Sequence, residues 1–150
     1  MPMTHSGSVM LPLTAAILLA TASCGGSSGP AVIPGLSVGG TYDTQVSLLP
    51  DGNTCGAVQV QNNQTIVAQT PGSGSRSLTH ARNSYPGTVD RTGRFSTPAK
   101  LVSGSFNISI AGQFSVTGFD ATVQVDQVSP PCGYKVHWVG TKSGPPNTFP

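Results

Sequence analysis

The chain predicts an all-β fold, a single small antiparallel up-and-down barrel or sandwich of about eight strands. Three observations carry this. There is no Glu and there are only three Lys, so strong helix formers are scarce, while Val, Thr, Ser, Gly and Gln abound. Apolar residues recur at every second position from residue 41 onward, the period of a half-buried strand. The alternating runs are separated by short segments bearing Gly, Pro, Asn and Asp, which suit hairpin turns and leave no length for crossover helices. Charged residues make up only 8% of the chain, so few are free to guard an exposed sheet edge, and closure into a barrel is favoured.

Taken in order, Tyr42, Thr44, Val46 and Leu48 share one side of the first strand, with Asp43, Gln45 and Ser47 on the other. Pro50-Asp51-Gly52-Asn53 supplies a turn. Val58 and Val60 alternate with Gln59 and Gln61, and Asn62-Asn63 is expected to close a tight hairpin into Thr65–Ala68. Residues 71–75 form a loop, and a short strand is expected around Ser77–His80. Gly87–Phe95 reads as a hairpin, because Asp90 can accept hydrogen bonds from the backbone ahead of it and Gly93 can take the left-handed position. Phe106, Ile108 and Ile110 alternate next, with Ala111-Gly112 expected to turn the chain into Phe114 and Val116. Val123 and Val125 follow, then the break Pro130-Pro131, then Tyr134, Val136 and Trp138 on one face with Lys135 and His137 on the other.

The amino-terminal segment is of a different kind. An apolar run of about a dozen residues, Val9 to Ala20, is too short to span a bilayer as a helix, which needs roughly 20. It is followed by Thr21-Ala22-Ser23, then Cys24, then Gly25-Gly26-Ser27-Ser28-Gly29-Pro30. This arrangement resembles the amino terminus of a bacterial lipoprotein. The resemblance covers the signal segment only and assigns the rest of the chain to no family. Ala22 and Ser23 fit the pattern; Thr21 stands where a large aliphatic is usual, and Met1–Ser8 has no Lys or Arg. It implies cleavage before Cys24 and a diacylglyceryl group with acyl chains such as palmitate on the Cys24 sulfur. Gly25 rather than Asp implies sorting to the outer membrane of a Gram-negative envelope. A second reading of the same residues is an ordinary Ala20-Thr21-Ala22 site, which would release a soluble secreted or periplasmic protein. The expected organisation is a cleaved signal at 1–23, Cys24 with a flexible Gly/Ser/Pro tether at 24–40, a β domain at 41–142 and a disordered tail at 143–150.

Three cysteines are present, Cys24, Cys55 and Cys132. An odd number in an exported protein needs an explanation, and lipid on Cys24 leaves Cys55 and Cys132 to pair in an oxidising compartment. Of the histidines, His80 and His137 follow the signal, and no H-x-x-x-H or C-x-x-C spacing marks a metal site. There is no G-x-S-x-G elbow and no glycine-rich phosphate loop opening a helix. The expectation is therefore a domain that is not an enzyme, with no cofactor and no metal. A formal charge of +2 is too weak for nucleic acid. Arg76, Arg82, Arg91 and Arg94 all fall within one short segment and offer a candidate anion contact, against the plainer reading of a solvated hairpin. Tyr42, Phe106, Phe114, Tyr134 and Trp138 suit either a packed core or the lining of a ligand cavity.

The function expected from these features is a lipid-anchored envelope protein whose non-catalytic β domain binds a partner or fills a structural role. The expected partners are the membrane, through the anchor, and a small apolar ligand or an envelope protein. The alternative is a soluble secreted ligand-binding or inhibitor barrel. An interior cavity of several hundred cubic ångströms separates a ligand binder from a structural module with a filled core.

Overall fold

The structure, a computed structural model, describes residues 29–150. The signal segment 1–23 and Cys24 lie outside them. Eight strands follow one another: β1 (Gly40–Leu49), β2 (Asn63–Ala68), β3 (Ser75–His80), β4 (Asn83–Val89), β5 (Arg94–Val102), β6 (Phe106–Ser115), β7 (Gly118–Gln127) and β8 (Cys132–Ser143). Each pairs with the next, and β8 returns to β1 from Thr41↔Ser143 to Leu49↔Lys135, closing an antiparallel up-and-down barrel. Closure leaves no sheet edge to guard, which matches the low charge of the chain.

The alternation read from the sequence sets which residues enter the barrel. Tyr42 and Thr44 of β1 and Val136 and Trp138 of β8 are buried, while their neighbours Asp43 and Lys135 are exposed. The β4–β5 turn is built as the residues predict. Asp90 Oδ1 accepts hydrogen bonds from the Thr92 and Arg94 amides at 2.8 and 3.0 Å, and Gly93 has φ of 83°.

Two expected turns are strands or loops instead. Ala111-Gly112 is not a turn, for β6 runs straight through it. The inward parity of Phe106, Ile108 and Ile110 carries on through Gly112 to Phe114, as one uninterrupted strand requires. Gly112 is there because a Cβ would strike the Asp120 carbonyl and Ala121 on β7. The chain reverses at Val116-Thr117. Nor do Asn62-Asn63 close a hairpin. Val58 and Val60 belong to a long connection, and Asn63 already starts β2. The Asn62 side chain instead caps the edge of β1: its Oδ1 accepts from the Val46 amide at 2.8 Å and its Nδ2 donates to Gln45 Oε1 at 2.7 Å.

Both supposedly loose ends of the domain are packed. Within the expected tether, Leu36 and Val38 are completely buried. Within the expected disordered tail, Asn147 is 3% exposed and Phe149 packs against the core. Ser37 and Thr148 exchange two backbone hydrogen bonds of 3.0 Å, so the two end segments pair with each other across one mouth of the barrel. Composition misleads here because a few apolar and amide side chains, placed over an open barrel end, gain burial that Gly and Pro neighbours do not forbid.

Behind that seal lies a cluster of rings. Tyr42, Phe95, Phe114 and Phe119 meet with centroids 4.5 to 6.0 Å apart, in tilted or edge-on arrangements. Asn147 locks the cluster to the seal. Its Nδ2 donates to the Ser115 and Gly118 carbonyls at 2.7 and 3.3 Å, and its Oδ1 lies 2.7 Å from both the Tyr42 hydroxyl and Lys142 Nζ. Burial and the loss of ionised-form hydration push the Tyr42 phenol up to about 12. Asn147→Ala strips these partners from buried groups, and should cost about 2–3 kcal/mol of unfolding free energy in urea titrations. A change within about 0.5 kcal/mol would show that the tail segment does not hold the barrel end.

A candidate ligand cup at the open end of the barrel

The opposite end of the barrel combines aliphatic inward residues with rings from β3, β4 and β8. Val46 of β1, Ile108 of β6, Val123 and Val125 of β7 and Val136 of β8 line a cavity of about 330 Å³. That lies at the small end of the range for ligand pockets, roughly 300–1,000 Å³. Its aromatic residues are Tyr85 of β4 and Tyr134 and Trp138 of β8. At the closed end the four rings pack directly on one another, and the spaces there are grooves lined by segments 30–33 and 37–40.

His80, the last residue of β3, is the polar anchor of the cup. Its ring packs on Trp138 with centroids 4.0 Å apart and planes 30° apart. Its Nδ1 lies 2.8 Å from Thr65 Oγ1, which in turn lies 2.8 Å from Thr44 Oγ1. These three polar groups, on β3, β2 and β1, are all buried and satisfy one another. Burial lowers the His80 pKa to about 4, so the ring is neutral near pH 7. Burial also raises the phenols of Tyr85 and Tyr134 above their ordinary value. The cup therefore presents aliphatic surface, one neutral imidazole, two phenol groups and the amides of Gln59, Gln61, Asn63 and Asn83.

A lid crosses the mouth. The connection 50–62 brings Val60, Gln59 and Gln61 to the cavity wall, and Val60 packs against the core. Cys55 is bonded to Cys132 at the start of β8, as expected, with Cα atoms 5.0 Å apart. Cys55 itself lies in the lid and not at a strand beginning. The Thr54 amide donates to the Gly133 carbonyl at 2.8 Å, and the Gly133 amide donates back to Thr54 Oγ1 at 2.9 Å. With Asn62 fixed to β1, the lid is pinned at both ends. A bridge over a sequence separation of 77 removes enough unfolded-chain entropy to contribute about 4 kcal/mol.

Compared with protein-family models, with curated proteins and with solved structures, this chain matches none. What the site does is therefore argued from its own geometry.

The four arginines do not converge. Arg82 sits in the β3–β4 turn at the cup end, and Arg91 and Arg94 flank the β4–β5 turn at the sealed end. Arg76 points into the barrel and is 4% exposed. Arg76, Arg91 and Arg94 lie towards the sealed end and Arg82 at the cup end, because β3 and β4 are antiparallel and carry successive turns to opposite ends. His137 meets Asp120, Nε2 to Oδ2 at 2.8 Å, but on the outer wall between β8 and β7, where both are substantially exposed. That pair lies outside the barrel, where Asp120 also lines two surface grooves of about 420 and 320 Å³. Among the described residues no cluster of three His, Cys, Asp or Glu is placed to hold a metal.

Of the five aromatics singled out in the sequence, Tyr134 and Trp138 line the cup, Tyr42 and Phe114 belong to the ring cluster, and Phe106 packs half-buried against the core. Tyr85 and the inward turn of His80 were not legible. Pro86 disguises β4, since proline is tolerated in a strand only where no ladder amide is needed.

An unfolded His takes its proton near pH 6.5, whereas folded His80 does so only near 4. Between those values the unfolded state binds more protons. The stability due to this group is complete above about pH 6.5 and is lost as the pH falls towards 4. Urea titrations across that window should show a loss of about 3 kcal/mol, much of it absent in His80→Gln. A wild-type slope identical to the variant's would place His80 in contact with water.

Proposed function

We propose that this chain is a lipid-anchored envelope protein whose barrel holds a small apolar ligand in the cup over His80 and Trp138. The observation that carries the binding role is the cavity of about 330 Å³, in which Val46, Ile108, Val123, Val125 and Val136 face His80, two Tyr rings and Trp138, with the amides of Gln59, Gln61, Asn63 and Asn83 also on its wall. A ligand seated there stacks against Trp138 and the Tyr rings, and places a single donor or acceptor towards His80 or a phenol. The neutral state of His80 favours an uncharged ligand group over a carboxylate or an amine.

The anchor rests on Cys24 and its flanking residues. A diacylglyceryl group and a third acyl chain hold a protein stably on a bilayer, at about 0.8 kcal/mol per buried methylene. The packed part of the domain begins near Val32, so the spacer from the membrane is shorter than composition suggested. On this proposal the barrel stands close to the surface of the outer membrane, whose lipids and lipid-soluble molecules are the nearest apolar ligands. We assign the domain a carrier or sensor role without catalysis. The support is that its buried histidine is engaged by Thr65 and that its His–Asp pair lies on the convex wall.

Trp138 is the single tryptophan of the chain and lies in the cup, so its emission reports on the site. Titration with N-phenyl-1-naphthylamine should quench it saturably, with a Kd on the order of micromolar. Val125→Phe, which fills the cup, should weaken binding at least tenfold. An unchanged Trp138 emission, or equal binding by the variant, would remove the ligand role.

The anchor has its own test. Intact mass of the membrane-fraction protein should show loss of residues 1–23 and added acyl mass, and Cys24→Ala should abolish both. An unacylated product beginning at Ser23 would make the protein soluble and secreted.

A further inference from the structure

Arg76 carries a charge that nothing in the described protein balances. Its Nε, Nη1 and Nη2 are all buried and none has a hydrogen-bond partner. The guanidinium stacks on Phe95, with Cζ 4.4 Å from the ring centre, at the edge of the ring cluster that plugs the sealed end. A stacked ring face offsets part of the cost of burial and satisfies none of the five N–H donors. Burial accordingly holds the group down to about 9. It still carries its proton at neutral pH.

No acid of the described chain is free to serve. Asp90 is turned into its own turn, where Thr92 and the Arg94 amide occupy it. Asp120 faces His137, Asp126 accepts from Gln124, and Asp43 accepts from Gln64 on the outer face of β1. Asp51 lies beyond the far end of β1, within the lid. Among the described residues the His137–Asp120 contact is the one between a basic and an acidic side chain.

We propose that Arg76 is the receptor for a small monovalent oxyanion, of acetate or nitrate size, bound at the sealed end of the barrel. The planar fork of the guanidinium matches two oxygens of such an anion side by side. Arg76 stands where the barrel floor meets a groove between segments 37–40 and 67–77. Gln69 spans that groove, its Oε1 accepting from the Val38 amide at 2.7 Å and its Nε2 donating to the Ser73 carbonyl at 2.7 Å. Gln69 and Arg76 line the same groove, and the anion would reach the guanidinium from there. Arg91 and Arg94 at the same end add positive potential that draws anions towards it. The site is distinct from the cup. Along the inward face of β3, Arg76 and His80 are separated by Leu78, which is fully buried.

The test is thermal and urea unfolding of the full-length protein at fixed ionic strength, with sodium gluconate replaced stepwise by sodium acetate or nitrate. The smaller anions should stabilise the wild type. Above the Kd, each tenfold rise in anion should shift the folding equilibrium about tenfold. Arg76→Met, which keeps the stem and removes the charge, should lose this dependence, and Arg94→Gln should keep it. Wild-type stability that is the same in gluconate, acetate and nitrate overturns the proposal. So does an Arg76→Met protein that responds as the wild type does. If Arg76→Met fails to fold, the wild-type salt comparison still decides, together with a saturable shift of the Arg76 Nε–H resonance on adding nitrate. Absence of that shift counts against the site.

Discussion

The distribution of side-chain volume along the inside of a closed eight-stranded barrel governs this molecule. Such a barrel is just wide enough for its inward side chains to fill it, so where large and small residues fall decides where it is solid and where it is hollow. Tyr42, Phe95, Phe114 and Phe119 enter near one end, from β1, β5, β6 and β7. Further along the same strands the inward residues are Thr44 and Val46, Thr97, Ile110 and Ile108, and Ala121, Val123 and Val125, while β4 and β8 add Tyr85, Tyr134 and Trp138 to the cup wall. Solid packing at one end and an open cup at the other are two results of a single pattern. The ring cluster also creates the demand for a seal, since its outer surface would otherwise meet water. Leu36, Val38 and Asn147 from the two ends of the domain meet that demand.

The two ends of the barrel are then specialised by different chemistry. At the sealed end, polar groups are locked by Asn147 and a buried cation is left stacked on Phe95. At the open end a disulfide, not core packing, positions the covering segment. The connection 50–62 carries few apolar residues and could not stay folded over the mouth by burial alone. Cys55–Cys132 and the Thr54–Gly133 backbone pair supply what burial does not. A lid held this way can flex between its pins without unfolding the wall beneath it.

Much of this architecture was legible in the sequence. The period-two runs of β1, β7 and β8 gave inward faces that the structure reproduces, and the scarcity of charge argued correctly for a closed barrel. The disulfide followed from cysteine arithmetic. The misreadings have physical causes. Gly112 resembles a turn residue but answers a steric demand from the neighbouring strand. Asn62 resembles half of a hairpin turn but caps an edge. The tail 143–150 is rich in Gly and Pro, yet one well-placed Asn and one Phe order it. The cup itself was hidden, because period-two alternation shows which residues face inward and says nothing of the volume they leave. His80 was invisible as a site residue for the same reason: its role depends on Trp138, Thr65 and Thr44, which converge only when the barrel closes.

The measurement that tests this account most directly is a heteronuclear NMR titration of the isotope-labelled protein with a small apolar ligand such as N-phenyl-1-naphthylamine. A solid end and a hollow end predict saturable shifts at Val123, Val125, Val136, His80 and Trp138, with Phe114 and Phe119 unmoved. Shifts spread through the ring cluster, or none that saturate, would contradict the division of the barrel into plug and cup.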